Sequence, residues 1–282
     1  MIQNAVLGIR AEPRWFSDGS VFAMTHHPAG EPIGSVVICP PTHAEVGRNQ
    51  RRELLASWEL AMCGYTVTRL DYRGLGHSVG NTEDMSFDTM VADVLDAASI
   101  VRPGWFIATR AGALVAAAAA SATPESNLVL WEPVESGQAW FKEVFRASMM
   151  GALKRGEKGL SGAARLAEFE RVGYIDVVGN TVGWPLYSSL ADRTLSRELE
   201  SFSGDAALVV QIQQKAALKP ANEAIVAQLT RGGRTIEALC VEHNEPWWFG
   251  ATPRDDVVLA SVDAPEAITA TVEFISRIGG HR

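Results

Sequence analysis

Residues 76–80 read Gly76-His77-Ser78-Val79-Gly80, the spacing in which a serine hydroxyl can attack a carbonyl carbon. That chemistry needs more than the letters. The serine must sit on a sharp turn from strand to helix, with small residues two positions to either side so that the two elements can approach closely. Here the preceding strand-like run, Tyr65–Leu70, ends well before Ser78, and the next helical period starts at Ser86. A serine in mid-loop is expected to bond local backbone. Ser78 therefore stands only as an alternative nucleophile, dependent on a rearranged loop.

The steric demands are met elsewhere, at Ala108-Thr109-Arg110-Ala111-Gly112, between the apolar run Trp105–Thr109 and the alanine-rich segment Ala111–Ala122. Small residues occupy both flanks, Ala108 and Gly112, with Ala113 next. The apex is Arg110. A guanidinium stays protonated and cannot act as a nucleophile, so an acyl-enzyme through this position is excluded. At the head of a helix, where free N–H groups favour an anion, it can clamp a carboxylate or phosphate through two parallel hydrogen bonds. The alternative is an internal ion pair with Glu132 or Glu45, since buried charges are usually paired.

The elements that must position these residues follow from periodicity. Gly8–Phe16 and Val21–His27 flank the turn cluster Ser-Asp-Gly-Ser and predict a hairpin. Ile33–Cys39 is a continuous apolar run stopped by Pro40-Pro41, as expected of a strand buried on both faces. Arg48–Cys63 predicts a helix ended by Gly64, Tyr65–Leu70 a strand, Asp71–Asp84 a Gly-rich loop and Ser86–Val101 a helix. Trp105–Thr109 and Leu128–Trp131 are strands on either side of the helix Ala111–Ala122. The rhythm stops from Val134 to about Asp205, where amphipathic pieces and glycines give no convincing buried strand. It resumes with strand Ala207–Ile212, helix Asn222–Arg231, strand Thr235–Val241 and helix Pro265–Ile278. The fold class is α/β: a mostly parallel sheet with helices on both faces and one helical insertion.

Composition sets outer limits. The chain has 282 residues, 47% hydrophobic and 21% charged, which suits a folded α/β domain and not a disordered one. Twenty-five Lys+Arg against 33 Asp+Glu give a net charge of −8, which disfavours a general nucleic-acid or anionic-membrane surface. Cys39, Cys63 and Cys240 lie far apart without a Cys-x-x-Cys spacing, which argues against a disulfide framework or a zinc site and fits a reducing compartment. The first residues lack the pattern of a signal peptide, and no apolar run reaches the ~18 residues of a membrane span. A cytoplasmic protein without metal or cofactor is expected. Cys39, ending a buried strand, reads as a core residue, not a thiol nucleophile. His26-His27 is no metal motif, because neighbours on a strand point to opposite faces.

Asp71-Tyr72-Arg73-Gly74-Leu75-Gly76-His77-Ser78-Val79-Gly80 resembles the D-x-R-G-x-G-x-S-x-G loop of many α/β-hydrolases, and the order of elements matches that fold over nearly the whole chain. Trp131-Glu132-Pro133-Val134 with Ser136-Gly137, Arg51-Arg52, and Pro246-Trp247-Trp248-Phe249 resemble the hydrolases encoded with bacterial exosortase and exopolysaccharide systems, a group with a similar arginine at the elbow. The resemblance implies a core of residues 1–133 and 206–282, with a helical lid over 134–205. It puts the triad histidine at His243, after the last strand. The acid position after the seventh strand reads Gln211-Ile212-Gln213-Gln214-Lys215 and holds no carboxylate, which leaves Glu132 to orient His243 or to pair with Arg110. The oxyanion donors would come from Ala111 and the Thr42 to Glu45 segment, with His43 and Glu45 lining the pocket. Trp140, Trp184, Trp247 and Trp248 would wall an apolar pocket or pack the lid. The implied function is an enzyme acting on an acyl, carboxylate or carrier-linked thioester substrate without an acyl-enzyme, with a small-molecule substrate and an acyl carrier protein as partners. The alternatives are an inactive binding scaffold and a serine esterase or thioesterase working through Ser78.

Overall fold

The computed structural model describes residues 2–4, 7–154, 156, 162–177, 179–213, 217–243 and 264–279. Its opening strands are β1 (Ile2–Asn4), β2 (Ile9–Phe16) and β3 (Val21–His27), joined in antiparallel register. The turn between β2 and β3 takes positive φ at Ser17, Asp18 and Gly19, which is why the Ser-Asp-Gly cluster marks it. Strand and helix then alternate through β4 (Gly34–Cys39), α1 (Val46–Met62), β5 (Tyr65–Leu70), α2 (Phe87–Val101), β6 (Trp105–Thr109), α3 (Gly112–Ala122) and β7 (Asn127–Trp131).

Residues between β7 and the next strand of the main sheet form α4 (Gly137–Lys154), α5 (Gly162–Val172), a two-stranded ribbon of β8 (Tyr174–Val177) and β9 (Asn180–Gly183), α6 (Trp184–Leu190) and α7 (Leu195–Glu198). The ribbon corrects the expectation of a stretch without a buried strand. Val177 and Val182 are buried, and Gly179 turns the chain at φ +79. The polar neighbours Asp176, Asn180 and Thr181 break the apolar pattern by which such strands are found. The ribbon is a sheet of its own and does not join the main one. The chain closes with β10 (Ala206–Gln213), α8 (Pro220–Thr230), β11 (Thr235–Glu242) and α9 (Pro265–Gly279).

Among the described residues the main sheet has nine strands in the order β1-β2-β3-β5-β4-β6-β7-β10-β11, and its six strands from β5 to β11 run parallel. Alternation along each strand feeds two cores. Val36 and Ile38, Trp105 and Ile107, and Val129 and Trp131 face the side covered by α1 and α9. Val37 and Cys39, Phe106 and Ala108, and Leu128 and Leu130 face α2, α3 and the residues after β7. Burial on both faces explains why these strands read as unbroken apolar runs. Among the described residues no helix is long and apolar enough to cross a membrane.

Successive crossovers go opposite ways from the middle of the sheet. From β4 the chain crosses to β5 on one side, whereas β6 pairs with β4 on the other and leads on to β7. The carboxyl ends of β4 and β6 thus face the crevice that such a reversal opens, the usual place for a site in a parallel sheet. Helix α3 starts very close to β4 here. A Cβ on Gly112 would lie 2.5 Å from the Pro40 carbonyl oxygen and 2.6 Å from that of Cys39.

Gly112→Ala should therefore destabilise the protein by about 1–3 kcal/mol, lowering its thermal midpoint by roughly 3–10 °C. Gly104→Ala is the control, since its nearest neighbour is the Ser35 oxygen at 3.8 Å. Equal midpoints for the two variants would show that the turn into α3 has room to spare.

Candidate active site

Residues after β4, β6 and β7, at the carboxyl edge of the parallel sheet, are held in unusual backbone. After β4, Pro40 to Glu45 is buried apart from Ala44, with His43 at φ +54. After β6, Arg110 turns at φ +55, and after β7, Glu132 does so at φ +43. Left-handed backbone is rare outside glycine and persists only where the surroundings over-determine it. At Arg110 the fixing is visible. Its N–H donates to the Trp131 carbonyl at 3.1 Å, and its own carbonyl accepts from Ala113 at 3.0 Å.

The Arg110 side chain is 2% exposed and spans the switch point. Its Nε donates to Glu45 Oε1 at 3.2 Å, and Nη2 donates to Glu143 Oε2 on α4 at 2.5 Å. Burial opposes the charge on Arg110. The carboxylates of Glu45, Glu143 and, more weakly, Glu132 outweigh that and keep the guanidinium protonated. Glu45 is buried as deeply, and burial pushes its carboxyl up to about 7 against the pull of Arg110, with Glu143 adding to the rise. Among the described residues its second oxygen, Oε2, has no well-formed hydrogen bond, nor has the Trp140 indole N–H, whose dipole still favours the ionised carboxylate. The expectation that Arg110 pairs with Glu132 or Glu45 thus resolves toward Glu45, with Glu143 as a partner that sequence reasoning missed. Glu143 lies one helical turn from Trp140, which had been singled out, so the shared face of α4 was the available signal.

Other polar atoms converge here without partners among the described residues: Thr42 Oγ1, Thr109 Oγ1 and both ring nitrogens of His43. His43 is 4% exposed, lies 6.3 Å from Trp140 between ring centroids, and is lowered by burial to about 4, so it is neutral near pH 7. His43 and Glu45 are therefore buried groups and not solvated loop residues. Ala111 is buried at the head of α3, where helix N–H groups lack intrahelical acceptors.

Glu132 lies inside the sheet end and is fully committed. Oε2 accepts from the Ile212 N–H at 2.7 Å, and Oε1 accepts from Gln213 Nε2 and Lys219 Nζ, each at 2.6 Å. It ties β7 to the end of β10, and its effect on Arg110 is electrostatic. His243 follows β11 directly, its N–H donating to the Gln213 carbonyl at 2.9 Å, so the residue that bonds Glu132 also aligns the backbone of His243. A cleft of about 200 Å³ opens over Arg110, bounded by Val134, Ala139, Glu143, Lys219 and Asn222.

Ser78 is placed as its loop position implies. Its hydroxyl donates to the Asp71 carbonyl at 2.5 Å and accepts from the Phe22 N–H at 2.8 Å. Gly76 sits at φ +55, and a Cβ there would meet the Asp71 carboxylate, which accepts from the His77 N–H, so a glycine at this place has a local reason without any nucleophile. Cys39 is wholly buried, and burial raises its thiol far above the usual range. Trp140 and Trp184 pack against the aromatic rings of Phe141, Phe169 and Tyr187. Trp247, Trp248 and the Pro246–Phe249 segment lie outside the described residues.

Neither the family models nor the curated proteins compared with this sequence give a match. Solved structures do. Est1E from Butyrivibrio proteoclasticus, with ferulic acid bound, is 16% identical, with a TM-score of 0.62 over 91% of this chain and 96% of its own. The alpha/beta hydrolase GrgF from Penicillium sp. sh18 is 15% identical, with a TM-score of 0.60 over 95% of this chain and 98% of its own. The thioesterase domain from the curacin biosynthetic pathway is 15% identical, with a TM-score of 0.53 over 95% and 99%. At such identities the likeness is one of architecture, and it agrees with the strand order and switch point above. The chain has the α/β-hydrolase fold.

Proposed function

We propose that this protein acts on a small acyl, carboxylate or carrier-linked thioester substrate in the cleft over Arg110, without forming an acyl-enzyme. The state of Arg110 carries this reading. A permanently charged group lies at the floor of a cleft, braced from behind by Glu45 and met from the cleft wall by Glu143, whose side chain is 40% exposed. A carboxylate thus already stands where a ligand's oxygen would sit. With no nucleophile on the turn, water must attack. His243 would take a proton from water as its oxygen adds to the acyl carbon. Arg110 would hold the developing oxyanion together with the Ala111 N–H. As the carbon–oxygen or carbon–sulfur bond breaks, the leaving atom would recover the proton from the imidazolium. Esterase and thioesterase folds among the similar structures support an acyl substrate. A lid role for residues 134–205 is supported by α4, which brings Glu143 to Arg110 and Trp140 to His43. A bacterial, cytoplasmic setting and an acyl carrier partner rest on the sequence resemblance.

One observation favours a second reading, a binding scaffold. Two carboxylates on one guanidinium already balance its charge, as in a purely structural brace. Three measurements separate the readings: turnover of short-chain acyl thioesters, calorimetric binding of butyrate, and thermal midpoints. Glu143→Gln should tighten butyrate binding about tenfold by removing a negative charge that competes for Arg110, with little change in midpoint. Arg110→Ala should abolish binding and turnover and cost on the order of 3–5 kcal/mol, because Glu45 loses its counter-ion. Arg110→Lys should keep the fold and lose most of the affinity, since lysine lacks the planar fork. His243→Ala should cut turnover by roughly 10²–10⁴. Binding of butyrate without any thioester turnover would favour the scaffold reading, whereas a Glu143→Gln variant that binds no butyrate and melts as low as Arg110→Ala would make Arg110 a structural brace only.

The pH dependence has a definite sign. Protonating Glu45 near pH 7 removes a negative charge beside Arg110, so butyrate affinity should rise as pH falls through about 7. Stability moves the same way. The folded protein holds the Glu45 proton up to about 7 and the unfolded chain only to about 4.5, so this group's contribution falls as pH rises between those values. Glu45→Gln should remove both dependences, and an affinity that instead climbs with pH would contradict the assignment. An organophosphorus serine probe should label no serine. Stoichiometric labelling of Ser78 would restore the serine-esterase alternative.

A further inference from the structure

The sheet face under α1 holds a second cavity, of about 250 Å³, whose wall residues are distinct from those of the cleft over Arg110. Strand register builds it. Ala11 lies opposite His26, and Met24 lies opposite Arg69, so His26, Met24 and Arg69 project to one face across β3 and β5. Helix α1 crosses above them with Leu54 and Trp58, one turn apart. The walls are apolar except at two groups. His26 is 2% exposed, and neither of its ring nitrogens has a hydrogen-bond partner among the described residues. Arg69 Nε is likewise buried without a partner, while Nη1 reaches the Gln50 carbonyl at 3.3 Å.

Buried polar groups are almost always satisfied, and an orphaned one is costly. Two orphaned groups lining one small cavity call for a shared acceptor. Burial lowers His26 to about 4, so near pH 7 its imidazole is neutral and offers one N–H. Arg69 supplies the charge. The carboxyls of Glu53 and Asp71 offset part of that charge, and burial raises Glu53 to about 7 so that it is not fully ionised near neutral pH, which favours a monoanion over a dianion such as phosphate. The volume falls below the ~300–1,000 Å³ typical of drug-sized sites. Trp58 offers an aromatic wall.

We propose that this cavity is a binding site for a small monocarboxylate with a compact apolar body, its carboxylate held by Arg69 and the His26 N–H and its body packed on Met24, Leu54 and Trp58. The assignment is independent of the reading of Arg110. A ¹⁹F NMR titration with 4-fluorobenzoate tests it, with 4-fluorobenzyl alcohol as the uncharged control. Binding should be saturable, weaken at least about tenfold in Arg69→Met, and disappear in Ala11→Leu, whose side chain fills the cavity. It should persist in Ala139→Trp, which blocks the cleft over Arg110 instead. In protein labelled with 5-fluorotryptophan, the Trp58 resonance, identified by its loss in Trp58→Phe, should shift on addition of benzoate. Trp58→Phe serves only to assign the resonance, and the titration itself is read on the unaltered sequence. The proposal is overturned if the unaltered protein shows no saturable binding, if Trp58 does not move, if the alcohol binds as well as the acid, or if Ala139→Trp alone abolishes binding.

Discussion

A guanidinium that cannot give up its proton, placed where water scarcely reaches, obliges the surrounding chain to supply negative charge. Much of the architecture around the switch point answers that demand. Glu45 comes from the segment after β4, and Glu143 comes from α4 across the cleft. The segment after β4 must therefore fold inward, which it does through the left-handed His43 and the short turn at residues 43–45. The helix after β7 must come down over the turn, bringing Trp140 onto His43. Two elements that are distant in sequence are thus drawn to one side chain.

The same region concentrates strain and orphaned polar atoms. Three strand ends carry left-handed residues with side chains, and Thr42, Thr109, His43 and Glu45 hold polar atoms without well-formed bonds. Neither feature helps the fold. Both are sustained by the two cores on either side of the sheet, whose strands are buried along their whole length at β6 and β7. Stability is thus supplied by the sheet's interior and drawn down at its carboxyl edge, the usual division of labour where a scaffold supports chemistry.

The sequence disclosed the scaffold well because the scaffold is made of local patterns. Ile33–Cys39 reads as a strand from apolar continuity alone, and β4 differs from it by one residue; Arg48–Cys63 and α1 differ by two residues or fewer at each end. The ribbon of β8 and β9 escaped because its burial is set by contacts with neighbouring elements and not by alternation in its own residues. The site was legible only in part. Small residues around Arg110 announce the tight turn, since that requirement is steric and local. Its partners are not announced: Glu143 lies 33 positions downstream, and only the descent of α4 brings it close. Glu132 could not be assigned from spacing either. Its choice of Lys219 and the end of β10 depends on strand pairing, which places Ile212 within reach of its carboxylate.

Helix α1 has a consequence of its own. It begins immediately after Glu45, at Val46, and carries Leu54 and Trp58 along its length. At 1.5 Å per residue its 17 residues form a rod of about 25 Å, stiff on this scale. The counter-ion of Arg110 and the roof of the second cavity are therefore mounted on a single beam. A ligand that shifted this beam at Trp58 would act on Glu45, and one that shifted it at Glu45 would act on Trp58 with the same coupling energy, because linkage between two binding sites is reciprocal.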